Sequence, residues 1–394
     1  MTVPCLCVTD LSNTQVEALI ANLGEPSYRA GQLQRWLYRE LAKSFDEMAD
    51  LPKHLRRKLT RNTRLHSLAP VHEVVGSDGT VKTLFALADG KNIESTLMPY
   101  TSARNRRRYT LCLSTQVGCA VGCPFCATGQ QGFERNLTPG EIIDQVLYFA
   151  RWIREQDNET VYSAHSANHI TNLVFMGMGE PLANYGALWQ AIEMFNSPQG
   201  FGLGARNMVI STAGLVPQIK RLSREKLQVG LAISLHASDN ALRDKLVPIN
   251  KRYPLEDLVP ACHEYLELTG RRPSFEYVLF EGINDSVEHA RSLARLLRGL
   301  NCHVNLISAN RTADQKFRPP TVSVILSFQR ELKRLRITCT LRQGRGLDIA
   351  AGCGQLRSHF VPPSPCLLPA RAPDGDEIPA TRQSTLVYVP EEKS

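Results

Sequence analysis

Three cysteines lie within one short segment, CAVGCPFC, at Cys119, Cys123 and Cys126. Their C-x3-C-x2-C spacing lets one loop present three thiolates to three irons of a cubane cluster, which leaves the fourth iron open to a small ligand. The alternatives are a zinc site or unligated thiols. Structural zinc sites close with four ligands, usually as two separated pairs, and the sequence has no second C-x2-C pair. The spacing therefore favours an iron–sulfur cluster.

Two further cysteines and one carboxylate also have chemical potential. Cys112 lies in an apolar run and Cys353 lies between Gly352 and Gly354. Both thiols could simply be small buried apolar side chains. The flanking glycines nevertheless give Cys353 a flexible and accessible setting, which suits a thiol that must react. Glu94, in NIESTLMP, is either a solvated strand carboxylate or a general base.

Composition narrows the class of protein. The length of 394 residues predicts roughly two to three domains. A content of 43% hydrophobic and 21% charged residues is typical of globular proteins. The sequence has no signal-peptide start and no run of about 18 apolar residues, so we expect a cytoplasmic protein with reduced cysteines and no membrane partner. A net charge of +8 favours a polyanionic partner, although charge alone does not separate nucleic acid from a membrane surface.

The N-terminal region predicts helices followed by strands. Apolar side chains recur at helical spacing over 11–62, and β-like stretches follow at 80–87 and 93–99. Basic residues cluster around Arg56, in LPKHLRRKLTR, and in the run 104–108. Each cluster is either a solvated face or an RNA contact surface, and the solvated face is the commoner outcome.

From Tyr109 onward, β-like runs alternate with helical segments, which is typical of a βα repeat with parallel strands. This alternation favours a partial or full α/β barrel, whose active site gathers at the C-terminal ends of the strands. The strand candidates are TLCLST, NLVFMGM, NMVIST, GLAISLH, SFEYVLF, HVNLIS and ITCTLR. The helix candidates cover 139–154, 185–195, 216–223, 254–268, 286–298 and 322–335. The predicted organisation is a helical and β accessory domain over 1–105, a barrel over 106–360 and a flexible proline-rich tail over 361–394.

The cysteine segment matches the C-x3-C-x-aromatic-C motif of radical S-adenosylmethionine (SAM) enzymes, with Phe125 as the aromatic residue. Longer segments resemble, in the same order, the radical SAM RNA methyltransferases called RlmN and Cfr, and RlmN more closely. These segments are STQVGCAVGCPFCATGQQGFERNLTPGEI, MGMGEPLAN, ISTAGLVPQI, SLHASDNALRDKLVPINKRYPL and GCGQL. The resemblance extends to about Leu356 and implies a radical SAM partial barrel that holds one [4Fe-4S] cluster.

The resemblance also implies a set of SAM-binding residues, all at or just past predicted strand ends. On their own these residues have simpler explanations, since MGMGEP could be a tight turn, His236 a satisfied core histidine and Asn310 a turn cap. By resemblance, Gly179 and Glu180 would hold the methionine amino group and Ser211 its carboxylate region. The implied residues are Gly179, Glu180, Ser211, Ser234, Leu235, His236 and Asn310.

The reaction implied by the resemblance uses two SAM molecules per turnover. One SAM methylates Cys353, and the second yields a deoxyadenosyl radical that removes hydrogen from that methyl group. The carbon radical then adds to an adenine, Glu94 accepts the ring proton, and Cys112 resolves Cys353 through a transient disulfide. The resemblance assigns no role to Cys5, Cys7, Cys262, Cys302, Cys339 and Cys366.

The implied substrate is C2 of an adenine in 23S ribosomal RNA, in the peptidyl transferase region, with transfer RNA beside the anticodon left open. We expect a monomer that takes electrons from flavodoxin or ferredoxin. The alternatives are a Cfr-like C8 methyltransferase and a non-catalytic RNA-binding protein stabilised by zinc or a cluster. The loop over 308–320, Ala350 and Gly352 depart from the family pattern, which bears on RNA selectivity more than on radical chemistry.

Overall fold

Ten strands form a single open sheet, and two pairs of short strands lie outside it. The structure is a computed structural model that describes residues 6–101, 107–156, 170–310 and 316–356. The strands are β1 (Leu6–Cys7), β2 (Thr63–Arg64), β3 (Leu68–Val75), β4 (Val81–Leu87), β5 (Asn92–Thr101), β6 (Arg107–Cys112), β7 (Gln116–Gly118), β8 (Phe133–Asn136), β9 (Ile170–Phe175), β10 (Met208–Thr212), β11 (Gly230–Ser234), β12 (Ser274–Leu279), β13 (His303–Ser308) and β14 (Cys339–Arg342). The helices are α1 (Asn13–Asn22), α2 (Tyr28–Tyr38), α3 (Lys53–Asn62), α4 (Ala127–Gln130), α5 (Pro139–Gln156), α6 (Tyr185–Asn196), α7 (Val216–Leu222), α8 (Asn240–Leu246), α9 (Leu255–Thr269), α10 (Val287–Leu296) and α11 (Val322–Arg334).

The parallel part of the sheet consists of β6 and β9 to β14, which follow one another in chain order. One or two helices separate each successive pair. Ile210, Leu231 and Phe275 are at most 2% exposed, because strands covered on both faces bury nearly every side chain. Since β14 and β3 lie at opposite edges of the sheet, the structure confirms the predicted α/β partial barrel.

The six helices predicted between barrel strands are present as α5, α6, α7, α9, α10 and α11. Local sequence explains several ends. Ser286 begins α10 with a capping box, and α9 ends at Gly270, whose φ of +65° favours glycine. Helices α4 and α8 are not predicted, because four and seven residues are too few to display a helical period.

The accessory strands continue the barrel sheet. Strands β3, β4 and β5 are antiparallel, and β5 pairs antiparallel with β6, where Thr96 lies opposite Cys112. The sequence predicts β4 and β5 but misses β3, because most of its residues are exposed and no alternating apolar pattern appears. The predicted boundary near residue 105 therefore falls between two paired strands.

A buried carboxylate joins the N-terminal segment to the barrel. Asp144, on α5, is only 2% exposed. It accepts hydrogen bonds from Thr9 Oγ1 at 3.2 Å and Ser67 Oγ at 2.6 Å, and its Oδ1 lies 2.9 Å from His66 Nδ1. A buried carboxylate is stable only when its oxygens accept hydrogen bonds. This network therefore holds Thr9, which precedes α1, and His66 and Ser67, which follow α3, against α5.

Two predicted features lie outside the described residues, namely the tail over 361–394 and all but the end of the basic run 104–108. Among the described residues, none of the helices combines the length and the hydrophobicity that a membrane span requires.

We expect Asp144→Ala to lower the free energy of unfolding by about 3 kcal/mol, because it leaves several buried donors unpaired. Urea unfolding followed by circular dichroism measures the change. Glu17→Ala removes an exposed carboxylate from α1 and serves as the control, with an expected effect below about 0.5 kcal/mol. Equal effects of the two substitutions would contradict the anchoring role of Asp144.

Candidate active site

The three predicted cluster ligands lie on the loop between β7 and α4. Gly118, with φ of +72°, precedes this loop, and an added Cβ would lie 1.8 Å from the Gly132 carbonyl oxygen, so only glycine permits the approach. The Cys119 N–H donates to Gly132 O at 2.8 Å, and the Cys126 N–H donates to Cys123 O at 3.1 Å. All three cysteine side chains line one cavity of about 160 Å³.

Electrostatics in this cavity favour a cationic guest. Burial raises the pKa of Cys119 to about 12, and burial together with the Cys126 and Cys119 thiols raises that of Cys123 well above its ordinary value. Positive charge from irons would offset this cost and favour thiolates. No three His, Cys, Asp or Glu side chains among the described residues are placed to hold a single metal ion. In a cubane each thiolate binds a separate iron, which fits three thiols around one cavity.

The glycine-rich turn after β9 forms another wall of the cavity. Gly179 has φ of +100°, and an added Cβ would lie 2.5 Å from Gln116 Cβ, so this position requires glycine. Glu180 is buried and accepts a hydrogen bond from the Ala213 N–H at 2.7 Å. Burial raises the Glu180 pKa to about 7. A carboxylate has several acceptor positions, so Glu180 can still receive a ligand's amino group.

The ends of β10 and β11 supply the predicted serines. Ser211 and Ser234 both line the cavity, and their Oγ atoms lie 3.4 Å apart. Leu235 is different, because its side chain is 0% exposed and belongs to the hydrophobic core. Its backbone N–H donates to Glu276 O at 3.0 Å. The structure therefore brings the two hydroxyls to the cavity and places the Leu235 side chain elsewhere.

His236 is a buried, hydrogen-bonded histidine that also lines the cavity. It is buried, has φ of +58°, and accepts a hydrogen bond at Nδ1 from the Val278 N–H at 3.1 Å. Burial, and then the Arg243 charge, lower its pKa to about 3. The ring is therefore neutral and carries its proton on Nε2. It lines the cavity edge-on to Phe125, with 5.1 Å between ring centroids.

Arg243, on α8, is an important residue that the sequence analysis misses. It is 0% exposed and donates to Ala213 O at 2.7 Å, Leu235 O at 3.2 Å and Asn250 Oδ1 at 2.8 Å. Burial lowers its pKa to about 10, which leaves it charged at neutral pH. Because Ala213 and Leu235 directly follow β10 and β11, this guanidinium joins two strand ends that form the cavity wall. The available signal was an arginine within the short segment NALRDKL.

The loop that carries Cys353 is attached directly to the cluster loop. The Ala127 N–H donates to Gly354 O at 2.8 Å, and Asn310 Nδ2 donates to Cys353 O at 3.0 Å. Cys353 is solvent-accessible because it faces the cavity that the three cluster cysteines also line, while the protein atoms packed around it still desolvate its thiol. Asn310, expected from the resemblance to contact SAM, lines this cavity too and also positions the backbone of Cys353.

Cys112 and Cys353 line a second cavity of about 490 Å³, which Cys126 also borders. Burial, and then Cys353, raise the pKa of Cys112 to about 12. Burial also raises the pKa of Cys353, and the Arg342 guanidinium opposes that rise. Arg342 Nη1 lies 3.3 Å from Glu276 Oε2, an ion pair that the sequence analysis misses. Every cysteine in the described residues is a free thiol.

Glu94 is connected to this region less directly. Its carboxylate is buried and pairs with Lys82 Nζ at 3.3 Å. Lys82 also donates to Ala350 O at 3.3 Å, three residues before Cys353 in the chain. The structure thus links Glu94 to the Cys353 loop through Lys82. Neither Glu94 nor Lys82 lines either of the two cavities.

Known proteins resemble this chain in both fold and sequence. Residues 8–65 match the ribosomal RNA large subunit methyltransferase N-terminal domain, and residues 113–294 match the radical SAM superfamily. A crystal structure of a radical SAM methyltransferase from Sphaerobacter thermophilus is 48% identical with a TM-score of 0.84, covering 89% of this chain and 99% of that one. A probable dual-specificity RNA methyltransferase RlmN from Moorella thermoacetica is 47% identical over 344 residues, 87% of this chain and 94% of the relative. The chain belongs to the RlmN family of radical SAM RNA methyltransferases.

A further relative of the RlmN family comes from Nitrosopumilus maritimus. This ribosomal RNA large subunit methyltransferase N is 44% identical over 351 residues, which is 88% of this chain and 97% of the relative. RlmN-family membership implies a [4Fe-4S] cluster and SAM. Cys119, Cys123 and Cys126 fit the cluster because they face one cavity, and the Glu180 carboxylate beside them fits the SAM amino group.

We expect His236→Gln to remove an acid-dependent loss of stability from this RlmN-family protein. Its imidazole has a folded-state pKa of about 3, whereas in the unfolded chain it titrates near 6.5. The wild-type chain therefore loses stability as pH falls below about 6.5, by about 1.4 kcal/mol at pH 5.5. Urea unfolding at pH 7.5 and 5.5 measures the difference between the two proteins. An identical pH dependence in both would contradict a neutral, buried His236.

Proposed function

We propose that this enzyme methylates C2 of an adenine in the peptidyl transferase region of 23S ribosomal RNA, with transfer RNA beside the anticodon as a second candidate substrate. Cys353 would carry the methyl group and Cys112 would release the product. The observation that carries this proposal is a single cavity lined by both thiols and by Cys126 of the cluster loop. The names of relatives, which include a dual-specificity RNA methyltransferase and a ribosomal RNA large subunit methyltransferase, support the RNA classes.

The chemistry of the target explains why two thiols and a cluster are needed together. A ring carbon of adenine has no lone pair that can attack the SAM methyl group, so ordinary nucleophilic transfer fails. When bound by Cys119, Cys123 and Cys126, a [4Fe-4S] cluster supplies the reductive cleavage of SAM that generates a radical. Flavodoxin or ferredoxin would deliver the electron to an enzyme that we expect to be monomeric.

Cys353 would accept the methyl group from the first of two SAM molecules used per turnover. Only a thiolate is sufficiently nucleophilic, so Cys353 must lose its proton inside the cavity. Burial raises the pKa of this thiol and works against that loss, while the Arg342 guanidinium works in its favour. The hydrogen bond from Asn310 holds the Cys353 backbone, and glycine at 352 permits this close approach because an added Cβ there would lie 2.5 Å from Asn310 Nδ2.

Cys112 would release the methylated base. As its sulfur bonds to the sulfur of Cys353, the bond between Cys353 and the product carbon breaks, and the proton of the Cys112 thiol ends on that carbon. The two thiols become a disulfide, so their oxidation balances the reduction of the carbon to a methyl group. Before that step, Glu94 would accept the ring proton, and the electron that this loss leaves on the base would return to a cluster held by Cys119, Cys123 and Cys126. Glu94 lines neither cavity, and its connection through Lys82 to the Cys353 loop is the contact that supports this role.

The second cavity offers space for a base that has left its stack. Met98 and Tyr100, on β5, line it together with Arg345. The Arg345 guanidinium carbon lies 4.8 Å from the Tyr100 ring centroid. An aromatic ring and a guanidinium plane are surfaces on which proteins commonly stack splayed RNA bases. These side chains therefore support entry of the target base beside Cys112 and Cys353.

The basic helix α3 supports contact with the RNA backbone. Lys53, Arg57 and Arg61 are exposed on this helix, whereas Leu55 and Leu59 bury its opposite face. Lysine and arginine at such positions bind phosphates without reading sequence, and the affinity falls with salt. The described part of the run 104–108 ends at Arg108, which lies over the Tyr100 ring at 5.6 Å.

We expect 2-methyladenosine in RNA from a host that lacks its own enzyme and expresses this chain, and none when the host expresses Cys353→Ala. The variant removes the methyl acceptor but leaves all three cluster ligands, so its cluster absorbance should equal that of the wild type. Nucleoside mass spectrometry of separated ribosomal and transfer RNA identifies the substrate class.

Other outcomes of that measurement distinguish the alternatives. Detection of 8-methyladenosine would replace C2 with the Cfr-like C8 reaction. Absence of both products, together with no reductive cleavage of SAM by anaerobically purified protein, would favour a non-catalytic RNA-binding protein. Normal methylation by Cys353→Ala would overturn the intermediate while leaving the methyltransferase assignment intact.

We expect Cys112→Ala to accumulate a covalent adduct between Cys353 and RNA, because the thiol that completes release is missing. Nuclease digestion followed by peptide mass spectrometry would detect a mass increase on the Cys353 peptide, and turnover should fall by at least about 100-fold. Cys262→Ala, at a buried cysteine in the core, is the control and should form no adduct. Wild-type turnover by Cys112→Ala would contradict its resolving role.

A further inference from the structure

A groove of about 620 Å³ lies where α10 and α11 end and the chain enters β13 and β14. We call it the arginine groove, because arginines dominate its polar lining and none of them has been assigned a role above. These arginines are Arg291, Arg295, Arg298, Arg334 and Arg336.

Only part of this positive charge is neutralised within the protein. Arg291 and Arg334 pair with Glu331 at 2.8 and 2.7 Å, and Arg295 pairs with Glu288 at 3.3 Å. Arg298 and Arg336 are both exposed, and neither pairs with a carboxylate in the described residues. The groove therefore presents two uncompensated guanidinium groups beside three that are already oriented by ion pairs.

The backbone at Arg336 shows that this side chain has a structural disadvantage. Arg336 has φ of +62° and lies two residues after α11 ends at Arg334. Glycine is the favoured residue at such a position, and α9 follows that rule with Gly270 at φ of +65°. An arginine in the left-handed region strains the backbone locally, so its replacement by glycine should not destabilise the fold.

The groove lies at the N-terminal ends of β13 and β14, whereas the cysteine cavity lies at their C-terminal ends. Strand β13 begins beside the groove at His303 and ends at Ser308, which lines the cavity. Its six residues, at about 3.3 Å per residue, separate the two sites by roughly 20 Å. The arginines therefore cannot contact SAM or the target base. An electron donor bound there would also be far from the cluster loop, which argues against an acidic redox protein as the occupant.

We propose that the arginine groove binds the phosphate backbone of a single RNA strand that flanks the target and passes around the barrel. This inference rests on RNA being the substrate of the enzyme. Guanidinium groups match phosphate in charge and in planar, bidentate hydrogen-bonding geometry. Because no base-reading pocket is required, the contact is independent of sequence. It adds affinity only for RNA long enough to reach both the groove and the cysteine cavity, at the two ends of the barrel strands.

The test compares the wild-type holoenzyme with Arg298→Ala/Arg336→Gly in binding a single-stranded uridine 40-mer at several salt concentrations. Loss of two phosphate contacts should reduce the steepness of log affinity against log salt by about 1.4. Between 1 M and 0.1 M salt, the wild type should therefore gain roughly 25-fold more affinity than the variant gains. Because glycine suits the backbone at 336 and Arg298 is exposed, the double variant should melt no lower than wild type. Equal melting temperatures would show that misfolding does not account for its weaker binding.

Arg206→Ala is the matched control. Arg206 is an exposed arginine that precedes β10, also at the N-terminal ends of the strands, and it has no carboxylate partner in the described residues. Its removal should leave the slope unchanged. An unchanged slope in the groove variant would overturn the proposal. So would a change of about 0.7 in the slope for Arg206→Ala, half that of the double variant, because it would indicate general surface charge.

Methylation of cellular RNA, measured in parallel, separates this inference from the proposed function. Normal methylation with an unchanged slope refutes the groove alone, whereas a reduced slope supports the groove even if C2 methylation is absent. If the groove variant binds RNA normally but loses turnover with flavodoxin and not with dithionite, the occupant is an acidic protein and the RNA proposal is wrong.

Discussion

The hydrogen bond from the Ala127 N–H to the Gly354 carbonyl joins the cluster loop to the loop that carries Cys353. Ala127 begins the helix after the cluster loop, and Gly354 follows Cys353 in the chain. More than 200 residues separate these segments in sequence, so closing the loop between them carries an entropic cost that barrel packing must offset. Once this contact is made, Cys353 faces both the cluster cavity and the cavity that contains Cys112.

Buried polar groups around the site explain how it keeps its shape without a fully apolar core. Arg243 places a charge in the interior and satisfies it with backbone carbonyls after β10 and β11. A buried charge without such partners would destabilise the fold by several kcal/mol. Glu180 and His236 avoid a buried charge in another way. Burial raises the pKa of Glu180 and lowers that of His236, so each side chain favours its neutral form. The cavity wall is therefore polar enough to bind SAM yet carries little uncompensated charge.

The accessory strands have a mechanical consequence for the reactive loop. The turn between β3 and β4 contacts the segment before Cys353, since Ser77 N–H donates to Asp348 at 2.7 Å and Asp78 accepts from Gly346 N–H at 3.1 Å. Lys82 adds a third contact, to Ala350 O. The accessory strands are thus connected, through one continuous sheet and these contacts, with the loop that carries Cys353, the thiol that we propose as the methyl acceptor.

The sequence by itself determined the cluster motif, the βα order of the barrel and the position of Cys353 between two glycines, because spacing and periodicity are local properties. It also determined the family through colinear motifs. Only the tertiary structure decided which side chains share a cavity. It buried Leu235 in the core and linked Glu94 to the Cys353 loop through Lys82, while Arg243 and the Arg342–Glu276 pair emerged only there. Such contacts join residues far apart in the chain, and no local pattern of charge or hydrophobicity records which distant partner will satisfy a buried group.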